Sequence, residues 1–395
     1  MMEMERVKLG DISKLINGDR GKNYPSQADI TDDGEIPFIN AGHLNGGSID
    51  FSEMNYISQD KYDKLNSGKF QKGDILYCLR GSLGKKAIVN NDINGAIASS
   101  LVIIRPDPEK VSGEYLMLAL DSPAIKKQLV KANNGSSQPN LSAASVREYE
   151  VELPEFSIQK EVVEKLIKVR SIIDNRRQEL QLLNDLIKAR FVEMFGDNDK
   201  KIAISSLCDV SGGYSFKSED ISSTGFIKIL QIGNVYLDDV NWETTNYLPK
   251  GFDNVYSRFL LNEGDIVIAL TRPIIQSLGN VKACIVKVSD TPCLLNQRVG
   301  RIVSKKNVDV NLKFIYGCLM TDDFTRYVES CCIGCSQPNI STKDIENYMI
   351  PDASYEKQMD FVKFKEQVDK SKVVVQKALD ETQILFNSLM QQYFG

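Results

Sequence analysis

Two stretches free of glycine and proline, residues 157–195 and 354–394, carry apolar side chains at steps of three and four or sums of them. In the first the stripe runs through Val162, Leu166, Val169, Ile173, Leu180, Leu183, Ile187 and Met194, interrupted by Arg176 and Arg190. In the second it runs through Phe361, Phe364, Val368, Val375, Ala378, Leu385 and Leu389. This is the a/d seam of a coiled coil, and so narrow a stripe has to be covered by a partner of the same period. Each stretch is therefore predicted to be one long helix, and each to pack on the other. A helix of about 38 residues at 1.5 Å per residue is about 57 Å long, at most roughly seventeen base pairs of duplex.

Outside the helices the period changes. Short runs of Ile, Val, Leu and aromatics, bounded by Gly, Asn and Asp, predict strands over 36–40, 74–79, 87–89 and 101–105, followed by helices over 114–121 and 124–131. The same order returns as strands over 227–231, 265–270, 281–288 and 299–303 and helices over 312–320 and 324–330. Several landmarks give this repeat its frame. Ser137-Gln138-Pro139-Asn140-Leu141-Ser142 matches Ser336-Gln337-Pro338-Asn339-Ile340-Ser341 at a spacing of 199, and Gly73-Asp74-Ile75 matches Gly264-Asp265-Ile266 at 191. Asn55-Tyr56-Ile57 matches Asn246-Tyr247-Leu248, also at 191. A near-constant spacing over independent landmarks is a tandem duplication.

The fold class expected is α+β: two similar strand-rich domains, 1–156 and 197–353, separated by long helices at 157–196 and 354–395. Because the second helix starts from the second globule, pairing requires it to run back, so the two-helix coiled coil is expected to be antiparallel, with the copies related by a pseudo-two-fold axis.

The totals agree with a folded chain of more than one domain: 395 residues, 42% hydrophobic and 26% charged. With no long apolar stretch and a polar start, neither a membrane span nor a secretory signal is expected, and the cytoplasm is the expected location. The net charge of −5 speaks against a chain coated in positive charge, although local basic patches are compatible with it. Cys331, Cys332 and Cys335 form the one tight cysteine cluster, but the only histidine is His43 and the repeat has Ala132, Asn133 and Ser136 in the matching places. These cysteines read as reduced thiols, with no metal site expected. No phosphate loop, HExxH or nucleophile elbow is present, and a single histidine leaves little room for histidine-based catalysis.

Binding is what remains. After each Gly-Asp-Ile strand comes a loop that differs between copies: Arg80-Gly81-Ser82-Leu83-Gly84-Lys85-Lys86 in the first, and 271–280, with Arg272, Gln276 and Asn280, in the second. Here the spacing moves from 191 to 195, so the second copy is four residues longer. A duplication that keeps its frame and changes one loop keeps a scaffold and varies a reader. Arg and Lys suit guanine edges or phosphates, and Gln and Asn suit adenine edges. Asn40, His43 and Asn45, matched by Gln231, Asn234 and Tyr236, could face a groove or cap their own loop. Lys126, Lys127 and Lys131, and Arg298 and Arg301, are candidates for backbone contact. The Ser-Gln-Pro-Asn loop, nearly the same in both copies, is expected to fix structure or to dock a common partner.

Taken together these features resemble the specificity subunit of type I restriction-modification systems, over the whole chain. The segments Gly135 to Ser142 and Gly334 to Ser341 look like the family's recurrent stretch before each spacer helix, and Pro154-Glu155-Phe156-Ser157-Ile158-Gln159-Lys160-Glu161 looks like its lead-in to that helix. The resemblance implies a subunit with no active site and no cofactor of its own. It implies partners: double-stranded DNA, two methyltransferase subunits using S-adenosylmethionine, and restriction subunits using ATP and Mg. Each globule is then expected to read one half of a split, asymmetric site, the half-sites about one helical turn apart. A scaffold that binds only proteins is the competing expectation.

Overall fold

The chain's short apolar runs become short strands, and the two seams become the longest elements in the molecule. The computed structural model describes residues 5–133, 139–196, 198–332 and 337–395. It divides into two units: Met1–Gln178 with Gln376–Gly395, and Glu179–Val375. Each unit holds one globule and one end of each long helix, Phe156–Phe195 and Tyr355–Phe394.

In unit 1 one sheet has the order Ser13–Asn17, Leu101–Pro106, Ile75–Cys78, Lys86–Ile88, all antiparallel. The second has the order Tyr56–Ile57, Ile36–Ile39, Gly95–Ile97, Lys69–Phe70, its central pair parallel with Phe38 beside Ala96. Side chains of both sheets, among them Ile39, Phe70, Leu76, Cys78 and Ile103, make one buried cluster. The opposite face of the first sheet packs on helices Gly113–Ala119 and Pro123–Ala132 and on the long helices, through Val162, Leu166, Tyr393 and Phe394. Burying each such side chain contributes about 1.5–3 kcal/mol.

Unit 2 repeats the plan. Cys208–Gly212, Val299–Ser304, Ile266–Ala269 and Ala283–Ile285 form the antiparallel sheet, and Asn246–Leu248, Ile227–Leu230 and Cys293–Leu295 the mixed one. Helices Leu312–Leu319 and Asp322–Cys331 cover it. The stretch 281–288, expected as one strand, is two pieces, Asn280–Val281 and Ala283–Ile285, and ends in the turn Val288–Asp290. The break falls at Lys282, whose N–H donates to Pro273 O instead of continuing one ladder.

The helix seams pair antiparallel within each unit. In unit 1 the Arg170 guanidinium lies 5.4 Å over the Phe386 ring, and Tyr393 and Phe394 share a core with Val162 and Leu166. In unit 2 Phe191 and Phe195 pack on Phe361 at 5.3 and 5.9 Å, and Arg190 lies over Phe364 at 5.6 Å. The first stripe is inward-facing along its length. The second departs from expectation at Leu385, which is 49% exposed. Its stripe passes instead through Ala378, Thr382, Phe386 and Leu389. Thr382 is tolerated there because its hydroxyl donates to Ala378 O at 2.7 Å.

One pair shows how the copies trade volume. Unit 2 sets Phe361 against Gly317, where an added methyl would lie 2.7 Å from the ring, and unit 1 has the buried Val162 and Leu118 in the matching places. Cys331 and Cys332 pack on the unit 2 core, while Cys335 lies outside the described residues. Among the described residues no group of side chains could hold a metal ion, and no helix is long and apolar enough to cross a membrane.

Candidate nucleic-acid interface

The Gly-Asp-Ile tripeptides start the strands that carry the two variable loops. Gly73 and Gly264 adopt φ of 87° and 88°, a left-handed turn that glycine alone makes cheaply. The following aspartate closes the turn: Asp74 accepts from Gln71 N at 2.9 Å and Asp265 from Asn262 N at 3.0 Å. Asp74 is 1% exposed and also receives two 2.7 Å bonds from the Arg105 fork, which hold that guanidinium in its charged form. Asp265 lacks such a partner. Arg301 stands 3.9 Å away and gives its bond to Leu260 O, and burial pushes the Asp265 carboxyl above its ordinary range.

At the other end of these strands several elements converge on one edge. In unit 1 Leu79 N donates to Ser100 O and Ala98 N to Ile39 O, both at 2.8 Å. These bonds seat the turn 98–100 between the turn that starts at Asn40 and the loop that starts at Arg80. In unit 2 Leu270 N donates to Arg298 O and Asn296 N to Leu230 O, both at 3.0 Å, which seats 296–298 between Gln231 and Thr271 in the same way. The Pro-Asn part of the recurrent segment closes the stem of each variable loop. Leu141 N donates to Leu79 O at 2.8 Å and Gly81 N to Pro139 O at 3.4 Å; Ile340 N donates to Leu270 O at 2.9 Å and Arg272 N to Pro338 O at 2.8 Å. Residues 134–138 and 333–336 of those segments lie outside the described residues.

The two loops then diverge. Arg80 and Ser82 are exposed, and among the described residues their side chains have no hydrogen-bond or ion-pair partner. Lys85 is exposed and donates through Nζ to Ala41 O at 3.0 Å, tying loop to turn. Lys86 turns inward: 7% exposed, it pairs with Asp121, and burial lowers its pKa. The neighbouring lysines thus have opposite fates, and Lys86 is not available to a nucleic acid in this conformation. In unit 2 the four extra residues make a hairpin, Ile274–Ile275 with Asn280–Val281. Gln276 is exposed near its tip, Asn280 is half-buried in its return strand, and Arg272 is exposed at φ of 47° at its base.

Asn40 and His43, and Gln231 and Asn234, prove to be the same device twice. The Asn40 N–H donates to His43 Nδ1 at 3.1 Å, His43 Nε2 donates to Glu53 O at 3.1 Å, and Asn40 Nδ2 donates to Asn55 Oδ1 at 3.3 Å. In unit 2 the Gln231 N–H donates to Asn234 Oδ1 at 2.9 Å, Asn234 Nδ2 donates to Asn241 O at 2.9 Å, and Asn246 Nδ2 donates to Gln231 Oε1 at 2.7 Å. These side chains cap the loop, and a neutral imidazole and a carboxamide serve alike because each offers an acceptor and at least one N–H donor, the Asn234 amide reaching Thr244 O as well at 3.0 Å. Burial lowers the His43 pKa, in keeping with the N–H it accepts.

Asn45 pairs with Ser48 in a hairpin and Tyr236 is exposed. Lys126, Lys127 and Lys131 are exposed on the helix Pro123–Ala132, and Arg301 faces inward. Arg298 is exposed on the converging edge with Gln297 beside it. Gln297 escapes sequence reading, because the repeat shifts once more: by their hydrogen bonds residues 98–100 match 296–298, a spacing of 198.

The lead-in motif has a structural reason. Gln159, 1% exposed, accepts from Ser112 N at 3.0 Å and donates to Lys110 O and Pro154 O at 2.9 and 3.0 Å. Gln358, 2% exposed, accepts from Asn311 N at 2.9 Å and donates to Ala353 O at 2.9 Å. Each fastens the first turn of a long helix to its own globule.

Known proteins share this organisation. The family described as type I restriction modification DNA specificity domain matches residues 1–185 and again 197–382. The MjaVIII specificity subunit of Methanocaldococcus jannaschii is 26% identical over 376 residues, covering 88% of this chain and 82% of its own. The EcoAI specificity subunit of Escherichia coli is 33% identical over 150 residues, 38% of this chain and 24% of its own. The fold is shared with the S subunit from M. genitalium, at 15% identity, a TM-score of 0.57 and coverage of 100% and 96%. It is shared as well with a chain from a structure of type I system assembly, at 16% identity, a TM-score of 0.62 and coverage of 99% and 97%.

Proposed function

Because the chain belongs to the type I restriction-modification DNA specificity family, whose members are non-catalytic and recognise DNA sequence with two domains, we propose that each unit reads one half of a split, asymmetric duplex site. The readers in this proposal are the loop 80–86 in unit 1 and the hairpin loop 271–280 in unit 2. Specificity subunits of this family work with DNA and with modification and restriction subunits. For this chain we assign two methyltransferase subunits using S-adenosylmethionine, and restriction subunits using ATP and Mg, with no cofactor on the chain itself.

One observation carries the assignment of the readers. At matched places both units commit equivalent side chains to capping their own loops, and differ where Arg80, Ser82, Arg272 and Gln276 leave theirs exposed and unpartnered among the described residues. Unpartnered Arg, Ser and Gln side chains on a backbone-fixed edge are suited to base edges and phosphates. A main chain clamped by Pro139 and Pro338 lets them be replaced without refitting the scaffold.

The test is an exchange of residues 80–86 for the matching loop of another specificity subunit, followed by sequencing of the methylated adenines made by the reconstituted modification complex. One half of the motif should change and the other persist. A change in both halves, or in neither, would remove these loops from the reading role.

A further inference from the structure

We infer that Arg298, with Gln297 beside it, is a second base-reading element of unit 2, separate from the hairpin and without an equivalent in unit 1. The inference rests on the reading proposed above, that this edge of each unit faces DNA. Its own support is the turn 296–298. Four main-chain bonds fix that turn: Asn296 N to Leu230 O at 3.0 Å, Gln297 N to Tyr214 O at 2.9 Å, Val299 N to Asn296 O at 3.0 Å and Leu270 N to Arg298 O at 3.0 Å. None uses a side chain of Gln297 or Arg298. Both side chains are exposed, and among the described residues neither has a hydrogen-bond or ion-pair partner.

Unit 1 builds the same turn with three of the four anchors, Ala98 N to Ile39 O at 2.8 Å, Leu101 N to Ala98 O at 3.0 Å and Leu79 N to Ser100 O at 2.8 Å, while Ser99 N donates to the Tyr24 hydroxyl at 3.4 Å. It places Ser99 and Ser100 there. A serine hydroxyl can donate or accept and discriminates little among bases, whereas the arginine fork matches guanine O6 and N7 and the glutamine amide matches adenine N6 and N7. The neighbouring strand end differs in the same direction. Gly18 and Gly213 match, each pressed against a carbonyl of this turn, and the residue after each differs. Unit 1 has the buried Asp19, which accepts from Asn66 N at 2.7 Å, and unit 2 has the exposed Tyr214, its ring tilted at 42° against that of Tyr256 with centroids 4.6 Å apart. Unit 2 thus presents a cation, an amide and an aromatic ring where unit 1 presents two hydroxyls and a buried carboxylate.

Position argues for bases over phosphates. The turn lies between the Gln231 cap and the hairpin stem, in the middle of the converging edge, and its fixed backbone gives Arg298 the restricted placement that a bidentate pair requires. The half-site read by unit 2 should then hold a guanine whose recognition depends on Arg298.

The experiment uses the chain reconstituted with its methyltransferase subunits on a library randomised in both half-sites, with methylated adenines read by sequencing. Three variants are compared: Gln297→Ser with Arg298→Ser, Arg298→Lys alone, and a hairpin exchange over 271–280. The double variant should lose about tenfold or more in discrimination at one or two positions of one half-site, leaving the other half intact. Arg298→Lys keeps the charge and every main-chain bond but loses the fork, so it should relax the guanine position while preserving the salt dependence of binding. An unchanged motif in Arg298→Lys overturns the inference in favour of a phosphate contact. If the hairpin exchange alters one half while the double variant alters nothing, the inference fails and the proposed function stands. If neither alters the motif, both fail. Should the double variant not fold, Arg298→Lys decides.

Discussion

The same corner of the two units, the turn that each Gly-Asp pair closes, is built with unequal strength. Unit 1 gives Asp74 a bidentate arginine, and unit 2 leaves Asp265 with a cation 3.9 Å away and a carboxyl whose pKa is raised by burial. Both turns nevertheless hold the same backbone, because glycine and the carboxylate cap suffice for its shape. The ion pair is therefore an addition to the turn rather than its cause. This separates what a duplicated scaffold must keep from what it can alter, and substitutions at four places test the separation.

The largest effect is expected at Asp74. Asp74→Ala strips a buried partner from Arg105 and should cost about 3 kcal/mol, whereas Asp265→Ala should cost about 1–2 kcal/mol because Arg301 keeps its bond to Leu260 O. Urea unfolding that resolves the units should show this order, and equal costs would mean that the arginine adds nothing. Next come the glutamines. Gln159→Ala and Gln358→Ala each orphan buried backbone groups at a helix start and should each cost about 2 kcal/mol. Hydrogen exchange at Ser112 and Asn311 should rise to a similar extent, since here the copies are alike.

The volume trade gives a smaller effect and a rescue. Gly317→Leu should overpack Phe361 by about 1–3 kcal/mol, and adding Phe361→Val, which imports the unit 1 pair, should recover most of that. A double variant no better than Gly317→Leu would deny that the two sites are equivalent. The smallest effect is at the cap. His43→Asn installs the side chain that unit 2 already uses, and should stay within about 1 kcal/mol of the parent at pH 8. The pH dependence has a definite sign. His43 has a folded pKa below its ordinary 6.5, with Asp50 the nearby charge acting the other way. The neutral ring is therefore the one the fold holds, and stability is lost as pH falls through 6.5 and on through the lower folded value. Thermal unfolding of the parent should drop more between pH 7 and 5 than that of His43→Asn.

Much of this architecture was legible in the order of residues. Steps of three and four located both long helices to within two residues, because a partnered helix cannot hide its period. Leu385 was misplaced because the seam crosses Thr382, and a polar residue that bonds back to its own helix leaves no trace in an apolar pattern. Strands such as Gly95–Ile97 and Cys293–Leu295 are too short for alternation to show. At the interface the variable loops stood out, since a duplication exposes whatever it does not copy. Lys85 and Lys86 could not be told apart, because only the fold decides which faces Asp121. Gln297 was invisible for a different reason: the repeat changes spacing between the variable loop and the turn, and only hydrogen bonds restore the match.

The clamp of Pro139 and Pro338 on the loop stems has a consequence for how such a chain changes over time. A tip whose two feet are held by main-chain bonds asks nothing of its neighbours' side chains. Mutation or recombination can therefore fit a new tip to the old socket in a single event, and a lineage can acquire a different target while its folding, and the way each helix leaves its globule, stay as they were.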